Sequence, residues 1–301
     1  MIGRNRFKRA IKRTAGRAAM LTKAFGAPQS AGAACIFYFH RVAEVGFIDS
    51  HVDDWNIPPA VFERQIAALA DFAEIVPLQD LPRRLSLPRS GAMPQRPLVS
   101  LTFDDGYANF HTQALPVLKR YGAHATLFVV TGTIGSESPM PFDGWALKNR
   151  RRTEAEAWRA LNWTELESCA ASGLVSVGAH SHEHLRGSRI ERARLVEEAE
   201  RSREILRARL GEEHARAYAY PYGSSRLGDA SEEYARAVRE AGYALAVTTD
   251  LGLARAESDP YLLPRIEAHA LDAAGVLEAK AVGSLVPYRF IDHLRVVNRA
   301  V

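Results

Sequence analysis

The sequence predicts an α/β fold, a distorted (β/α)7-type barrel forming a single domain over residues 34–301 behind a basic extension at residues 1–33. Three observations carry this. Short apolar, β-rich runs alternate with segments of helical periodicity, the pattern of parallel β/α units. About seven such units fit, which favours a closed or nearly closed barrel over an open sheet. The 301 residues also leave room for an α/β barrel of about 250 residues. Composition agrees: 47% hydrophobic and 25% charged residues are globular values, and no run of 18 uncharged apolar residues marks a membrane span. Cys35 and Cys169 are far apart and flanked by apolar residues, as core fillers rather than a disulfide pair.

The extension accounts for the basic character of the chain. Residues 1–33 carry eight Lys or Arg and no acid, whereas the remainder holds 31 basic against 35 acidic residues. Phe7, Ile11, Ala18, Leu21 and Phe25 fall on one helical face with Lys and Arg around the rest. That pattern suits either a helix on an anionic membrane surface, through residues 1–25, or a solvated or partner-packed leader. Lys23 interrupts the best hydrophobic run, which argues against a secretory signal and for a cytoplasmic protein, peripheral at the inner membrane face. The body has no basic patch with interleaved aromatics, so nucleic acid is not an expected partner. No feature indicates an oligomeric state.

The elements follow in order. CIFYFHRV (35–42) reads as a strand ending in His40 and Arg41, and PPAVFERQIAALADF (58–72) as a helix with Pro at its start. IVPL is a short strand and RSGAMPQRP a loop; LVSLTF is a buried strand, followed by a helix through TQALPVLKRYG that stops at Gly122. ATLFVVTG (125–132) is the next strand. Residues 133–160 are long, polar and tryptophan-bearing, as an inserted lid or substrate rim would be. NWTELESCAASG is a helix with a Thr or Asn start, LVSVGAH a strand, and RIERARLVEEAERSREILRARLG a long amphipathic helix. AYAYPYG is a strand and turn, SEEYARAVREAGY a helix, and ALAVTTD a strand.

Three strand ends carry side chains suited to chemistry: FYFH, TFDDG and GAHSHEH. In parallel β/α folds these ends converge on one face, so residues 75 positions apart become neighbours. HSHEH (180–184) offers imidazoles at alternate positions, and two His with one Asp make a catalytic set for Zn²⁺ or a similar ion.

In this order, LTFDDGY, GAHSHEHL and YAYPYG resemble the successive motifs of the polysaccharide deacetylase family, carbohydrate esterase family 4 (NodB-like). The similarity runs from about Cys35 to Arg265. The resemblance implies that Asp104 is the general base and that Asp105, His180 and His184 bind one divalent metal, Zn first, with Co, Ni or Fe as alternatives. His182 falls on a variable position, as an exposed or supporting imidazole. The family implies an oxyanion-stabilising N–H near Pro221 and Tyr222, that of Tyr222 being favoured.

Two departures stand out. The family's late catalytic His has no clear counterpart: His269 is a weak candidate and His293 a weaker one. FYFHRV instead resembles the YH-first strand of the circularly permuted biofilm-polysaccharide type, which implies His40 as general acid. The Arg that precedes the third motif's proline by two positions is Ala219 here, and Arg265 is the candidate replacement, a structural ion pair being the alternative. Trp145, Trp158, Trp163, Tyr107 and Tyr222 are near enough to the motifs to stack on sugars, although core or lid packing suits each singly.

The expected activity is therefore removal of acetyl from an N-acetylated amino sugar in a glycan or glycoconjugate, by attack of metal-bound water. The competing expectations are a metal amidohydrolase acting on a formamide or cyclic amide, and a catalytically impaired glycan-binding protein.

Overall fold

Seven parallel strands close into a barrel in the computed structural model, which describes residues 32–46, 55–87 and 96–284. They are β1 (Ala33–Phe39), β2 (Leu98–Phe103), β3 (Ala125–Val129), β4 (Val175–Ala179), β5 (Ala217–Ala219), β6 (Leu245–Leu251) and β7 (Leu263–Glu267). Neighbours in sequence pair in parallel from β2 round to β7, and β1 closes the ring by pairing with both β7 and β2. The basic extension, the membrane-facing pattern at residues 1–25, most of the RSGAMPQRP loop and His293 lie outside the described residues.

Two details differ from the sequence expectation. The run 35–42 is not one strand: β1 stops at Phe39, and Arg41–Val42 turns away to pair with Asn56–Ile57. Past the break, Asn109 Oδ1 accepts the Val42 N–H at 2.9 Å and the Trp55 carbonyl accepts the Arg41 N–H at 3.0 Å. Of IVPL only Ile75 pairs, with Glu74 in a two-residue edge strand beside β2, and the seventh barrel strand is β7, where Pro264 and Arg265 interrupt a late apolar segment.

The helices form where periodicity and caps place them. They are α1 (Pro59–Phe72), α2 (Leu115–Tyr121), α3 (Gly144–Asn149), α4 (Trp163–Ala170), α5 (Arg192–Leu210), α6 (Glu232–Glu240) and α7 (Ala274–Ala281). A reciprocal capping box joins Asn162 and Glu165 at the start of α4, and the Ser231 side chain caps α6. α2 ends at Gly122 in the left-handed conformation, φ 58°. Among the described residues no helix is long and apolar enough to cross a membrane. Both cysteines are free and buried.

Strand alternation sorts the core and positions the site. Phe39, Phe103, Ala179 and Ile266 belong to the large cluster between strands and helices. Ala34, Ile36, Phe128, Ala219 and Val247 form the second cluster. With a side-chain period of two, the positions beside that helix-facing set, His40, Asp104, His180 and Arg265, fall on the other face, over the barrel mouth.

Candidate active site

Asp104 is the most constrained group at the mouth. Arg265 grips it with two parallel bonds, Nη1 to Oδ1 and Nη2 to Oδ2, both 2.8 Å. The same guanidinium donates to Thr102 Oγ1 (3.1 Å) and, through Nε, to the Thr248 carbonyl (2.8 Å). Arg265 is fully buried and Asp104 nearly so. Burial alone would raise the Asp104 pKa, but the Arg265 guanidinium, with smaller help from His180, holds it well below the usual carboxylate range.

Asp105 points elsewhere because its backbone leaves the strand, with φ 73°. Gly106 follows at φ 78°, where a Cβ would come within 2.9 Å of Val129 Cγ1, so only glycine fits. Asp105 Oδ1 lies 3.5 Å from His180 Nε2 and 3.5 Å from His184 Nε2. Ligands about 2.0–2.1 Å from a tetrahedral Zn²⁺ stand roughly 3.4 Å apart, so these three atoms could hold one ion. His180 Nδ1 donates to the Ala219 carbonyl at 2.8 Å, which leaves its Nε2 lone pair free to face the cluster. Burial lowers the pKa of both imidazoles, so they are neutral donors. Burial and the nearby Asp104 and Asp143 carboxylates push Asp105 well above the usual range. Neutral imidazoles around a buried carboxylate that resists ionisation are a donor set short of a cation, and a divalent ion fits them.

Backbone strain is concentrated here. Among the described residues the non-glycine positions with left-handed φ are Asp105, Ser181, His184 and Tyr222. All four belong to the DDG, HSHEH and PYG segments, and such strain clusters at functional sites.

His40 sits above the end of β1, edge-on to Trp55 with ring centroids 4.4 Å apart. Burial lowers its pKa to about 4, against the pull of Asp104. Tyr222 is 40% exposed and its N–H makes no hydrogen bond among the described residues. Thr249 on β6 fixes this turn, donating from Oγ1 to the Tyr222 carbonyl and from its N–H to that of Gly223. These groups, with Arg41, Tyr107, Phe142, Asp143, Trp145, Lys148 and Arg186, line an open cleft of ≈ 560 Å³.

The cleft is that of a known family. A family model described as polysaccharide deacetylase matches residues 92–246, half of the chain, including both aspartates, both ligand-type histidines and the PYG turn. The chain belongs to the polysaccharide deacetylase family. It is 26% identical over 173 residues to a putative polysaccharide deacetylase of Bacillus subtilis, covering 58% of this chain and 52% of that protein. The chain thus spans about half the length of that relative. A poly-beta-1,6-N-acetyl-D-glucosamine N-deacetylase of Staphylococcus aureus is 23% identical over 246 residues, 76% of each chain. Two solved structures share the fold: the Streptococcus pyogenes deacetylase PplD in complex with acetate (TM-score 0.66, 21% identity, 83% of this chain and 98% of that one), and IcaB from Ammonifex degensii (0.62, 23%, 82% and 96%).

Measured against the sequence-predicted residues, the polysaccharide deacetylase fold brings His40, Asp104, Asp105, His180, His184, Tyr222 and Arg265 into one place. Pro221 is buried off the cleft and, as a proline, has no N–H to offer an oxyanion. His182 turns to the end of β3, its Nδ1 2.9 Å from Thr131 Oγ1. His269 is tied by its backbone to Gln65 and Asp272, away from the cleft. Trp145 and Trp158 pack with Ala43 in a small core, and Trp163 lies under Arg209.

The rim expected over residues 133–160 is there, with Phe142 to Lys148 forming one wall. Its anchor was not read from the sequence: Asp143 pairs with buried Arg41, accepts from the Tyr107 hydroxyl at 2.9 Å and caps α3. Arg41 Cζ lies 4.2 Å from the Trp145 ring centroid. Trp55 was also missed, being a lone tryptophan outside any motif.

Proposed function

We propose that this chain is a metal-dependent N-deacetylase that removes the acetyl group from an N-acetylated amino sugar within a glycan. One observation carries the reading: a carboxylate locked by a bidentate arginine stands beside a separate Asp–His–His cluster at the floor of an open cleft. A glycan-binding module has no need of a locked, ionised carboxylate next to a metal set. The replacement of the motif arginine by Ala219, which motivated that alternative, is matched by Arg265 on the neighbouring face of the barrel.

Asp105, His180 and His184 would hold the ion, and Zn²⁺ suits two imidazoles and a carboxylate. Bound there, it would polarise the acetamide carbonyl and acidify a water in the cleft. Asp104, ionised at any ordinary pH, accepts the proton of the attacking water. The free Tyr222 N–H donates to the oxyanion as the carbonyl carbon becomes tetrahedral. Burial keeps His40 neutral, so it must receive a proton before it can give one to the departing amine. Trp55 and Tyr222 are partly exposed beside the cleft, and Trp55, whose ring meets His40 edge-on, could stack against a pyranose, while one face of Tyr222 lies under Arg186. The basic leader would keep the enzyme near an anionic membrane face.

The substrate named for the Staphylococcus aureus relatives makes poly-β-1,6-N-acetylglucosamine the first compound to test. The metal-loaded protein and Asp104→Asn are assayed for acetate and formate release from that polymer, chitin oligosaccharides and peptidoglycan fragments. Acetate from at least one substrate, lost by about 10²–10⁴-fold in the variant, supports the reading. Formate alone would move the activity to another amide. Bound metal without hydrolysis of any substrate would favour a binding protein, and a folded chain that takes up no metal would overturn the mechanism.

A further inference from the structure

The loop between the two histidines of the cluster is held from behind by a carboxylate that no motif contains. On α5 the residues facing the barrel are Leu195, Glu198, Ala199, Ser202 and Leu206. Glu198 is therefore a charged residue in the middle of an apolar stripe, and it is 1% exposed. Its Oε2 accepts the N–H of His182 at 2.9 Å and that of Glu183 at 2.8 Å. Arg194 Nη2, one helical turn earlier, lies 3.0 Å from its Oε1.

The two donors are the peptide groups between His180 and His184. That short loop passes through two left-handed residues, Ser181 at φ 62° and His184 at φ 58°. Its other contacts include the His184 N–H to Ser181 Oγ (2.9 Å), the Ser181 and His182 carbonyls accepting from the Thr131 N–H (3.2 Å) and the Gly132 N–H (2.9 Å), His182 Nδ1 to Thr131 Oγ1 (2.9 Å), and Glu183 Oε2 with Arg194 Nη2 (2.8 Å). Left-handed backbone at non-glycine positions persists only when its surroundings fix it. Glu198 Oε2 alone spans two consecutive N–H groups of this loop, and bonds of a carboxylate to backbone N–H are stronger than neutral ones.

We infer that Glu198 is a positioning residue for the metal site: by fixing the peptides of His182 and Glu183 it sets the separation of the His180 and His184 imidazoles. The inference rests on the ligand set proposed above. Glu198 lies behind the loop and not in the cleft lining, so it acts through the loop and not on substrate.

The test uses Glu198→Gln, which keeps the shape and one acceptor oxygen but turns an amide toward Arg194. The Zn²⁺ dissociation constant is measured by competition with a chromophoric chelator, alongside the Tm of the metal-free protein. Loss of a group that orients metal ligands costs about 10–100-fold in affinity, and that loss is expected here with the metal-free Tm nearly unchanged. Zn²⁺ affinity within twofold of wild type would overturn the inference, as would a lower Tm with unchanged affinity, the signature of a merely structural role. Arg194→Gln, at a partly exposed position, covers the case in which Glu198→Gln does not fold; a smaller loss of Zn²⁺ affinity is expected, and none would count against the inference. Wild-type protein is the control: if it binds no Zn²⁺, the ligand set itself fails and the inference falls with it, whereas tight wild-type binding that Glu198→Gln preserves removes only the inference.

Discussion

Arg265→Ala is the perturbation that most directly tests the division of labour at the barrel mouth. The substitution deletes two 2.8 Å bonds to Asp104 and the bonds to Thr102 and Thr248, in a pair whose side chains are 0% and 2% exposed. Breaking a buried pair by removing one partner costs about 3–5 kcal/mol, because the remaining charge is stranded in low dielectric. Asp104 relieves that cost by taking a proton. Its pKa, held down by Arg265 in the wild type, then rises through the effect of burial. The linkage sign follows. A depressed native pKa contributes stability above the unfolded value of about 3.9, which is lost as pH falls. The stability difference between wild type and variant should thus be largest at pH 7, shrink as pH falls through the raised Asp104 pKa of the variant, and shrink further below pH 4 as the wild type loses its own contribution. Urea unfolding at several pH values measures it. Turnover at pH 7 should fall by at least about 100-fold, since the base is protonated and unoriented, while bound metal is retained because Asp105, His180 and His184 are held by each other and by the Ala219 carbonyl rather than by Arg265. Near-normal turnover, or a stability difference independent of pH, would refute the reasoning and leave Arg265 as a structural ion pair.

Three further outcomes are expected. Tyr222→Gly should keep turnover within about tenfold of wild type, because the oxyanion donor is the backbone N–H and glycine accepts φ 62° without strain; a loss beyond 100-fold would transfer the role to the phenol ring. His40→Gln should lower kcat by about 10²–10⁴-fold with little change in KM or metal content, and an acetanilide-type substrate with a better leaving group should be affected less; equal losses on both substrates would remove His40 from the acid role. His184→Ala, or exhaustive chelation of the wild type, should abolish turnover and remove the metal's contribution to Tm, and activity surviving in the variant would exclude His184 as a ligand.

What the sequence revealed and what it hid divide along physical lines. Period-two strands and capped helices are local signals, and they located β2, β3, β4 and α4 closely. β7 was hidden because Pro264 and Arg265 break its apolar pattern, and Arg265 is polar there because it serves the barrel interior and not a core. Asp104, Asp105, His180 and His184 were legible because two short motifs carry them. Arg41, Asp143 and Tyr107 were not, since a triad drawn from positions 41, 107 and 143 has no signature until the fold joins them. Glu198 had a usable signal, a charge within a buried helical stripe, but that signal says only that a partner exists.

Ala219 ties these observations together. Its side chain lies in the second apolar cluster, while its carbonyl orients His180. The clamp on the base has moved two strands along the barrel to β7, and Arg265 reaches it beside the Tyr38 and Phe128 rings, with its Cζ 4.8 and 5.9 Å from their centroids. Position 219 can then be small, and the strand that carries PYG needs only its backbone to serve the site. Restoring the motif arginine by Ala219→Arg alone should therefore not improve catalysis. A second guanidinium would crowd Val247 and Phe128 in that cluster, and overpacking of this kind costs about 1–3 kcal/mol before any gain at Asp104. Only the double change Arg265→Ala with Ala219→Arg tests whether the two positions are interchangeable, and recovery of turnover above Arg265→Ala would show that what the site requires is the bidentate grip, whichever strand supplies it.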